Sequence, residues 1–147
     1  DGVHVGQEDL PVRVVREMMG HKKLIGCSTH STAQALAAVG DGADYISCGP
    51  LFATPTKPDY SPVGLALVKE YRQLIRVPFV AIGGIDATNV AQAMAAGADR
   101  VAVVRAISGA ADVEKAARSM KDLVLRERQA GLLSGHKQAV GPRRLNP

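Results

Sequence analysis

Aromatic residues and net charge are both scarce in this sequence. It has no tryptophan, three tyrosines and two phenylalanines, which give no stacking platform for nucleic-acid bases. The formal net charge is +4, and Lys137, Arg143 and Arg144 near the C-terminus supply three of those charges. The rest of the chain is close to neutral, so we expect no nucleic-acid partner.

Long apolar runs are also missing. No segment approaches the roughly 18 apolar residues that a membrane-spanning helix needs, and the first residues lack the charged and apolar regions of a secretory signal. We therefore expect a soluble, cytoplasmic protein with no membrane partner.

Cysteine is too rare to form a framework. The two cysteines, Cys27 and Cys48, are far apart in sequence and each lies inside an apolar run. They have no metal-ligand spacing and no third or fourth partner, so neither a zinc site nor a disulfide scaffold is indicated. Both are predicted to be small core residues.

The chain does contain a repeating pattern of short strands and longer helices. Its 147 residues, 46% of them hydrophobic, fit one domain with a real core. Segments with helical spacing separate β-branched runs at 2–5, 24–27, 45–48, 79–82 and 101–104. Strict alternation of this kind predicts a parallel sheet with right-handed crossovers, either doubly wound or part of a barrel.

The distribution of polar residues favours the barrel. Gly-Ala-Asp occurs at two helix-to-strand junctions, 42–44 and 97–99, and these junctions are chemically bland. The segments that follow the strands carry the reactive side chains, as they do at the C-terminal face of an α/β barrel. We predict a TIM (β/α)8 barrel represented by about five C-terminal βα units over 1–128, followed by a flexible basic tail over 129–147. Because the chain enters a strand within two residues of Asp1, we expect the first three or so strands to be missing.

Two segments after the last strands predict a phosphate site. Gly83-Gly84 lets the backbone approach an anion without an intervening β-carbon, although a glycine pair also serves simply to shape a turn. In barrels the last two strand-to-helix loops often bind phosphate through backbone amides. Gly84, Val104 and Arg105 are the candidates here.

The loop Gly-Pro-Leu-Phe-Ala-Thr-Pro-Thr-Lys-Pro-Asp over 49–59 is a second candidate site. The whole connection between strand and helix, at about 13 residues, is longer than usual, and long loops in compact domains are often functional. We expect an extended segment in which the hydroxyls of Thr54 and Thr56 point in alternate directions, and Lys57 offers a charge suited to phosphate oxygens. A solvated, proline-rich crossover is the alternative.

Polar residues after the first two strands have two interpretations each. Asp9 suits Mg²⁺, which takes one or two carboxylates plus substrate phosphates, but it also suits the cap of a helix that starts near Pro11. Ser28 either binds an anion or caps the helix that starts near Thr32. His30 is expected to be an exposed loop residue, and His4 a satisfied core residue.

Four motifs together resemble the thiamine-phosphate synthase family. They are Asp-Gly-Val-His-Val-Gly-Gln-Glu-Asp at 1–9, Gly-Cys-Ser-Thr-His at 26–30, the Gly-Pro-Leu-Phe-Ala-Thr-Pro-Thr-Lys loop at 49–57, and Ala-Ile-Gly-Gly-Ile at 81–85. Their order and spacing match over residues 1 to about 125. Each motif alone is weak, whereas four in register form a specific signal.

The resemblance implies a transferase and assigns roles to its residues. Such an enzyme joins hydroxymethylpyrimidine diphosphate to thiazole phosphate and releases diphosphate. By the family pattern, Asp9 binds Mg²⁺, and Ser28 and Lys57 contact the diphosphate as catalytic residues. The thiazole phosphate would bind a group made of Thr54, Thr56, Gly84 and the backbone near Val104 and Arg105. The family usually has a small residue where Arg105 stands.

The resemblance also indicates what the chain lacks. The family's N-terminal diphosphate segment, its second metal ligand and much of its pyrimidine pocket have no counterpart here, so we expect the chain alone to be inactive. Two alternatives stay open: a thiazole tautomerase-like barrel, which typically lacks the Gly-Gln-x-Asp and Thr-x-Thr-Lys motifs, and a non-catalytic domain that binds a phosphorylated ligand.

Overall fold

Five parallel strands form one sheet whose order follows the chain. The computed structural model describes residues 1–56 and 60–133, and Lys57 lies outside this part. The strands pair in the sequential order β1 to β5, and every pair is parallel. A doubly wound sheet would reverse its order at a switch point, so the sequential order confirms the barrel-type prediction. The strands are β1 (Gly2–Val5), β2 (Leu24–Thr29), β3 (Tyr45–Cys48), β4 (Phe79–Ile82) and β5 (Val101–Ala102).

Helices connect consecutive strands and pack on the sheet. A short helix at Arg105–Ser108 precedes the last one. The last helix continues to Leu133, past the predicted domain boundary at residue 128, and residues 134–147 are not described. The helices are α1 (Val12–Met19), α2 (Thr32–Gly40), α3 (Gly64–Leu74), α4 (Val90–Ala95), α5 (Arg105–Ser108) and α6 (Val113–Leu133).

The hydrophobic core lies between the sheet and the helices. Strand side chains alternate in direction, and one face of β2 and β3 buries Ile25, Cys27, Ile46 and Cys48 almost completely. Both cysteines are therefore core residues, as predicted. Burial of a side chain such as Ile46 contributes about 1.5–3 kcal/mol, so this face anchors the sheet to its helices.

A buried hydroxyl pair ties α3 to β2. Tyr71 is fully buried, and its hydroxyl lies 2.8 Å from Thr29 Oγ1 and donates to the carbonyl of Ser31 at 3.0 Å. Thr29 Oγ1 in turn donates to the carbonyl of Ser47 at 2.6 Å. Each buried polar atom in this group thus has a partner.

Side-chain caps fix two of the helix starts. Asp112 Oδ1 accepts from the backbone N–H of Lys115 ahead of α6. Ser31 rather than Ser28 caps α2, through the N–H of Gln34. Asp9 does not cap α1, whose first turn has no side-chain cap.

His4 was wrongly predicted to be a core residue. It is exposed, because it points to the sheet face opposite the helices and β1 forms an edge of the described sheet. β5 is also shorter than predicted, since Val104 already leaves the extended conformation with φ −115° and ψ −77°. Among the described residues, no helix has both the length and the apolar character needed to cross a membrane.

Candidate active site

A cavity of about 840 Å³ opens on the sheet face that carries no helices, where the strands end. All five strands contribute to its wall, and it includes the segments that follow β3, β4 and β5. Six of the predicted site residues line this cavity: Ser28, Thr54, Thr56, Gly84, Val104 and Arg105. The structure therefore brings together residues that are far apart in sequence.

Ser28 stands on the cavity wall at the C-terminal end of β2. Its Oγ lies 3.0 Å from His4 Nε2, and its carbonyl oxygen accepts from Gln7 Nε2 at 2.6 Å. Neither contact is a helix cap. The capping interpretation of this hydroxyl is therefore wrong, and its role in binding an anion stays a prediction.

The segment after β3 is held against β4. The backbone N–H of Leu51 donates to Ile82 O at 2.9 Å, and that of Phe52 donates to Gly83 O at 3.1 Å. These bonds place the start of the long loop beside the β4–α4 turn. The loop is therefore a wall of the cavity and not a free crossover.

Thr54 and Thr56 face the same cavity, which differs from the expected extended segment. Pro55 and Thr56 form a turn, and the Thr56 N–H donates to Thr54 Oγ1 at 3.3 Å. An extended chain would also place residues two apart on the same side, so the expectation of alternate directions was itself wrong. Both hydroxyls are thus placed to serve one ligand.

Gly83 and Gly84 have left-handed φ angles of 95° and 64°. A β-carbon on Gly84 would meet Ala53 O at 2.7 Å and Phe52 Cβ at 2.8 Å. The glycine pair therefore has a packing reason, since it lets the β4–α4 turn lie directly against the loop that carries Thr54. It also keeps this part of the cavity floor free of side chains.

Val104 and Arg105 form the far rim. Val104 is 55% exposed and its carbonyl accepts from Ile107 N and Ser108 N. Arg105 is exposed and is the first residue of α5. The rim thus includes a cationic residue.

Asp9 does not line the cavity, although it follows β1 at the same end of the sheet. Its Oδ2 accepts from the N–H of Gly6 at 2.7 Å. Within 1–56 and 60–133, no group of three or more His, Cys, Asp or Glu side chains is close enough to hold a metal. A single carboxylate fits Mg²⁺ only when phosphate oxygens and other ligands complete the set.

Four cavity residues were missed or misjudged from the sequence. His4 and Tyr45 form hydrogen bonds on the wall. His30 is half-buried, with Nδ1 2.5 Å from Gly49 O and its ring 4.9 Å from Tyr60. Gly26 was the sequence signal for the contact between His4 and Tyr45, because a glycine inside a strand often marks a close approach of neighbouring groups.

Asp86, the fourth, brings a negative charge to the cavity. Hydrogen bonds from the Thr88 hydroxyl and backbone N–H to its carboxylate lower the pKa of Asp86. The same two bonds turn Oδ1 toward the start of α4. Asn89, and not Asp86, holds the N-cap position of α4.

Comparison with known proteins identifies strong similarity to one group. The family model described as thiamine monophosphate synthase matches residues 1–107. A thiamine-phosphate synthase of Chloroflexus aurantiacus is 53% identical over 125 residues, which are 84% of this chain and 57% of that protein. A thiamine-phosphate synthase of Gloeobacter violaceus is 56% identical over 112 residues, 76% of this chain and 33% of that protein.

A solved structure agrees. The thiamine phosphate pyrophosphorylase of Pyrococcus furiosus superposes with a TM-score of 0.79 at 36% identity, and the match covers 86% of this chain and 60% of that one. The chain thus spans between a third and three-fifths of the length of these three proteins.

Proposed function

The chain belongs to the thiamine monophosphate synthase family, and from that premise we propose that the native protein containing it couples hydroxymethylpyrimidine diphosphate with thiazole phosphate. The products are thiamine monophosphate and diphosphate. The convergence of six predicted site residues on one cavity is the observation that carries this proposal. We place the reaction in the cytoplasm.

The thiazole phosphate would bind between the β3–α3 loop and the β4–α4 turn. Thr54 and Thr56 supply hydroxyl donors, and Gly84 presents backbone with no side chain in the way. Backbone near Val104 and the Arg105 guanidinium lie on the same cavity and add donors for phosphate oxygens. Five neighbouring groups that suit phosphate support this placement.

The pyrimidine diphosphate would lie toward β1 and β2. Ser28 donates a hydrogen bond to the diphosphate, and Lys57, which lies outside the described residues, adds a positive charge in our proposal. Asp9 would hold Mg²⁺ at this end of the sheet, together with diphosphate oxygens and a ligand from elsewhere. Bound Mg²⁺ neutralises charge on a departing phosphate group.

The chemistry requires a good leaving group more than a nucleophile. The carbon–oxygen bond to diphosphate breaks and the bonding electron pair leaves with diphosphate. The thiazole nitrogen then forms the new carbon–nitrogen bond with its lone pair. Donors such as Ser28 and Lys57 stabilise the charge that develops on the departing oxygen, which is where electrostatic preorganisation acts.

We further propose that an N-terminal segment completes the cavity. Within the described part, β1 and β5 each pair with one strand only, which leaves two sheet edges. The shorter span relative to the matched proteins supports the same proposal.

The test is a product assay on the native protein. Incubated with both substrates and Mg²⁺, it should form thiamine monophosphate and release one diphosphate per product, and chelation of Mg²⁺ should abolish both. The 147-residue chain alone should form neither. Metal-independent isomerisation of the thiazole, or ligand binding without turnover, would instead favour the tautomerase or the binding-domain alternative.

A further inference from the structure

Three residues lie side by side across the first three strands on the cavity face. His4 of β1 pairs with Gly26 of β2, and Gly26 pairs with Tyr45 of β3. A β-carbon on Gly26 would overlap both the Tyr45 ring and the His4 imidazole. Because Gly26 has none, His4 Nδ1 reaches Tyr45 Oη at 3.0 Å across the middle strand.

The other ring nitrogen of His4 extends the contact to the site. His4 Nε2 lies 3.0 Å from Ser28 Oγ, so a continuous hydrogen-bonded series joins Tyr45, His4 and Ser28. All three line the cavity. Ser28 is the member that the proposed function places against the diphosphate.

The direction of the hydrogen bonds in this series decides whether Ser28 can donate to a ligand. A neutral imidazole has one N–H and one acceptor nitrogen. If Nε2 carries the proton, Ser28 Oγ accepts from it and the hydroxyl proton is free to point elsewhere. If Nδ1 carries the proton, Nε2 takes the hydroxyl proton of Ser28, which then has none to offer a ligand.

We propose that Tyr45 and His4 are positioning residues that aim the Ser28 hydroxyl proton at an anionic oxygen of the diphosphate. The Tyr45 hydroxyl donates to His4 Nδ1, which fixes the proton on Nε2. Nε2–H donates to Ser28 Oγ, and Ser28 donates into the cavity. No proton is transferred and no bond breaks in this step. The inference rests on the proposed function.

The surroundings of His4 favour its neutral form. Although His4 is exposed overall, partial desolvation lowers the pKa of His4 from its ordinary value of 6.5. Among the described residues, Tyr45 on β3 is the titratable group within hydrogen-bond reach of His4. The other titratable groups on the described cavity wall are His30, Tyr60, Asp86 and Arg105.

His30 provides an internal reference, because its hydrogen bond requires the other tautomer. Its Nδ1 lies 2.5 Å from the carbonyl oxygen of Gly49, which only accepts, so His30 carries its proton on Nδ1. The two cavity histidines should therefore show different tautomers in one spectrum.

The test combines nitrogen NMR and kinetics on the native protein. With ¹⁵N-labelled histidine, the wild type should show His4 protonated on Nε2, assigned by loss of its signals in His4→Gln. Tyr45→Phe removes only the donor oxygen and should raise the Nδ1-protonated population. It should also lower kcat about tenfold and leave KM for thiazole phosphate within about twofold, since one charge-assisted hydrogen bond is lost.

The pH profile separates this role from a structural one. Once the pH falls below the lowered pKa of His4, the ring becomes an imidazolium and Nε2 carries a proton whatever Tyr45 does. The kcat of Tyr45→Phe should therefore approach that of the wild type as the pH falls. Tyr71→Phe, which removes a buried hydroxyl on the helix side, serves as the stability control and should leave the His4 tautomer unchanged.

Two results would overturn the inference: an unchanged His4 tautomer in Tyr45→Phe, or an altered tautomer with unchanged kcat. Failure of the proposed function is distinguishable. A wild-type protein that makes no thiamine monophosphate while Tyr45→Phe still shifts the tautomer would overturn the synthase assignment and support the tautomer assignment.

Discussion

Arg16 and Asp44 form an ion pair at 2.5 Å that joins α1 to the start of β3. The same guanidinium donates to the carbonyls of Gly20, Lys23 and Gly42 at 2.8–3.2 Å. Asp44 Oδ2 also accepts from the backbone N–H of Ile25. This pair therefore fastens the end of the sheet opposite the cavity.

The pair should contribute measurably to stability. Arg16→Ala leaves three carbonyls and one carboxylate without their donor, and we expect the free energy of unfolding to fall by about 2–4 kcal/mol. Urea unfolding of the native protein measures this change in the free energy of unfolding. Asp99→Asn is the matched control, because within the described part of the chain Asp99 pairs only with its exposed neighbour Arg100. This change should alter stability by less than about 0.5 kcal/mol. Equal losses in both variants would contradict this account.

Gly26 should tolerate no side chain. Gly26→Ala forces a methyl group against Tyr45 and His4, and overpacking of this kind costs about 1–3 kcal/mol. Thermal unfolding and the His4 NMR signals should both change. Gly40→Ala provides the comparison, because a β-carbon there meets nothing within 4 Å and the change should be neutral or slightly stabilising. A Gly26→Ala protein as stable as the wild type would refute the close packing.

Gly84 should control the position of the threonine loop. Gly84→Ala sets a methyl group against Ala53 O and Phe52, so the loop must shift, and we expect KM for thiazole phosphate to rise about tenfold. Gly20→Ala also places alanine at a positive φ but has no neighbour within 4 Å. It should lose stability by about 1–2 kcal/mol without a change in KM. A similar KM in the two alanine variants would contradict the loop-positioning role.

Stability should fall in alkali because of Cys48. Burial, with a smaller effect of the Glu70 charge, raises the pKa of Cys48 from 9.0 to about 12. Between these values the unfolded state has lost the thiol proton and the folded state retains it, so unfolding becomes easier as pH rises. Cys48→Ala should reduce the slope of unfolding free energy between pH 9.5 and 11 by up to about 1.4 kcal/mol per pH unit. An identical slope in the variant would exclude Cys48 as a cause.

The sequence predicted the elements better than the contacts between them. The bounds of β1, β3 and β4 were right, because β-branched runs between amphipathic segments leave little choice. The prediction that His4 is buried was wrong, because its burial depends on which face of the sheet the helices cover. The contact of His4 with Tyr45 depends on strand register, and no local pattern encodes that.

The repeated Gly-Ala-Asp junction also shows that the backbone was easier to predict than the side-chain contacts. Gly42 and Gly97 have φ values of 99° and 117°, and Ala43 and Ala98 are both buried, so the backbone repeats as predicted. The aspartates differ, because Asp44 faces Arg16 whereas Asp99 pairs with the adjacent arginine. The roles of Asp9 and Lys57 stay predictions.

The central claim is that the C-terminal ends of these strands form one anion-binding site, and a crystal structure of the native protein with thiazole phosphate and Mg²⁺-diphosphate tests it most directly. We expect the thiazole phosphate oxygens within about 3 Å of the Thr54 and Thr56 hydroxyls and the Gly84 backbone, with diphosphate beside Ser28. Ligand phosphates bound outside this cavity, or at the opposite end of the strands, would contradict the account.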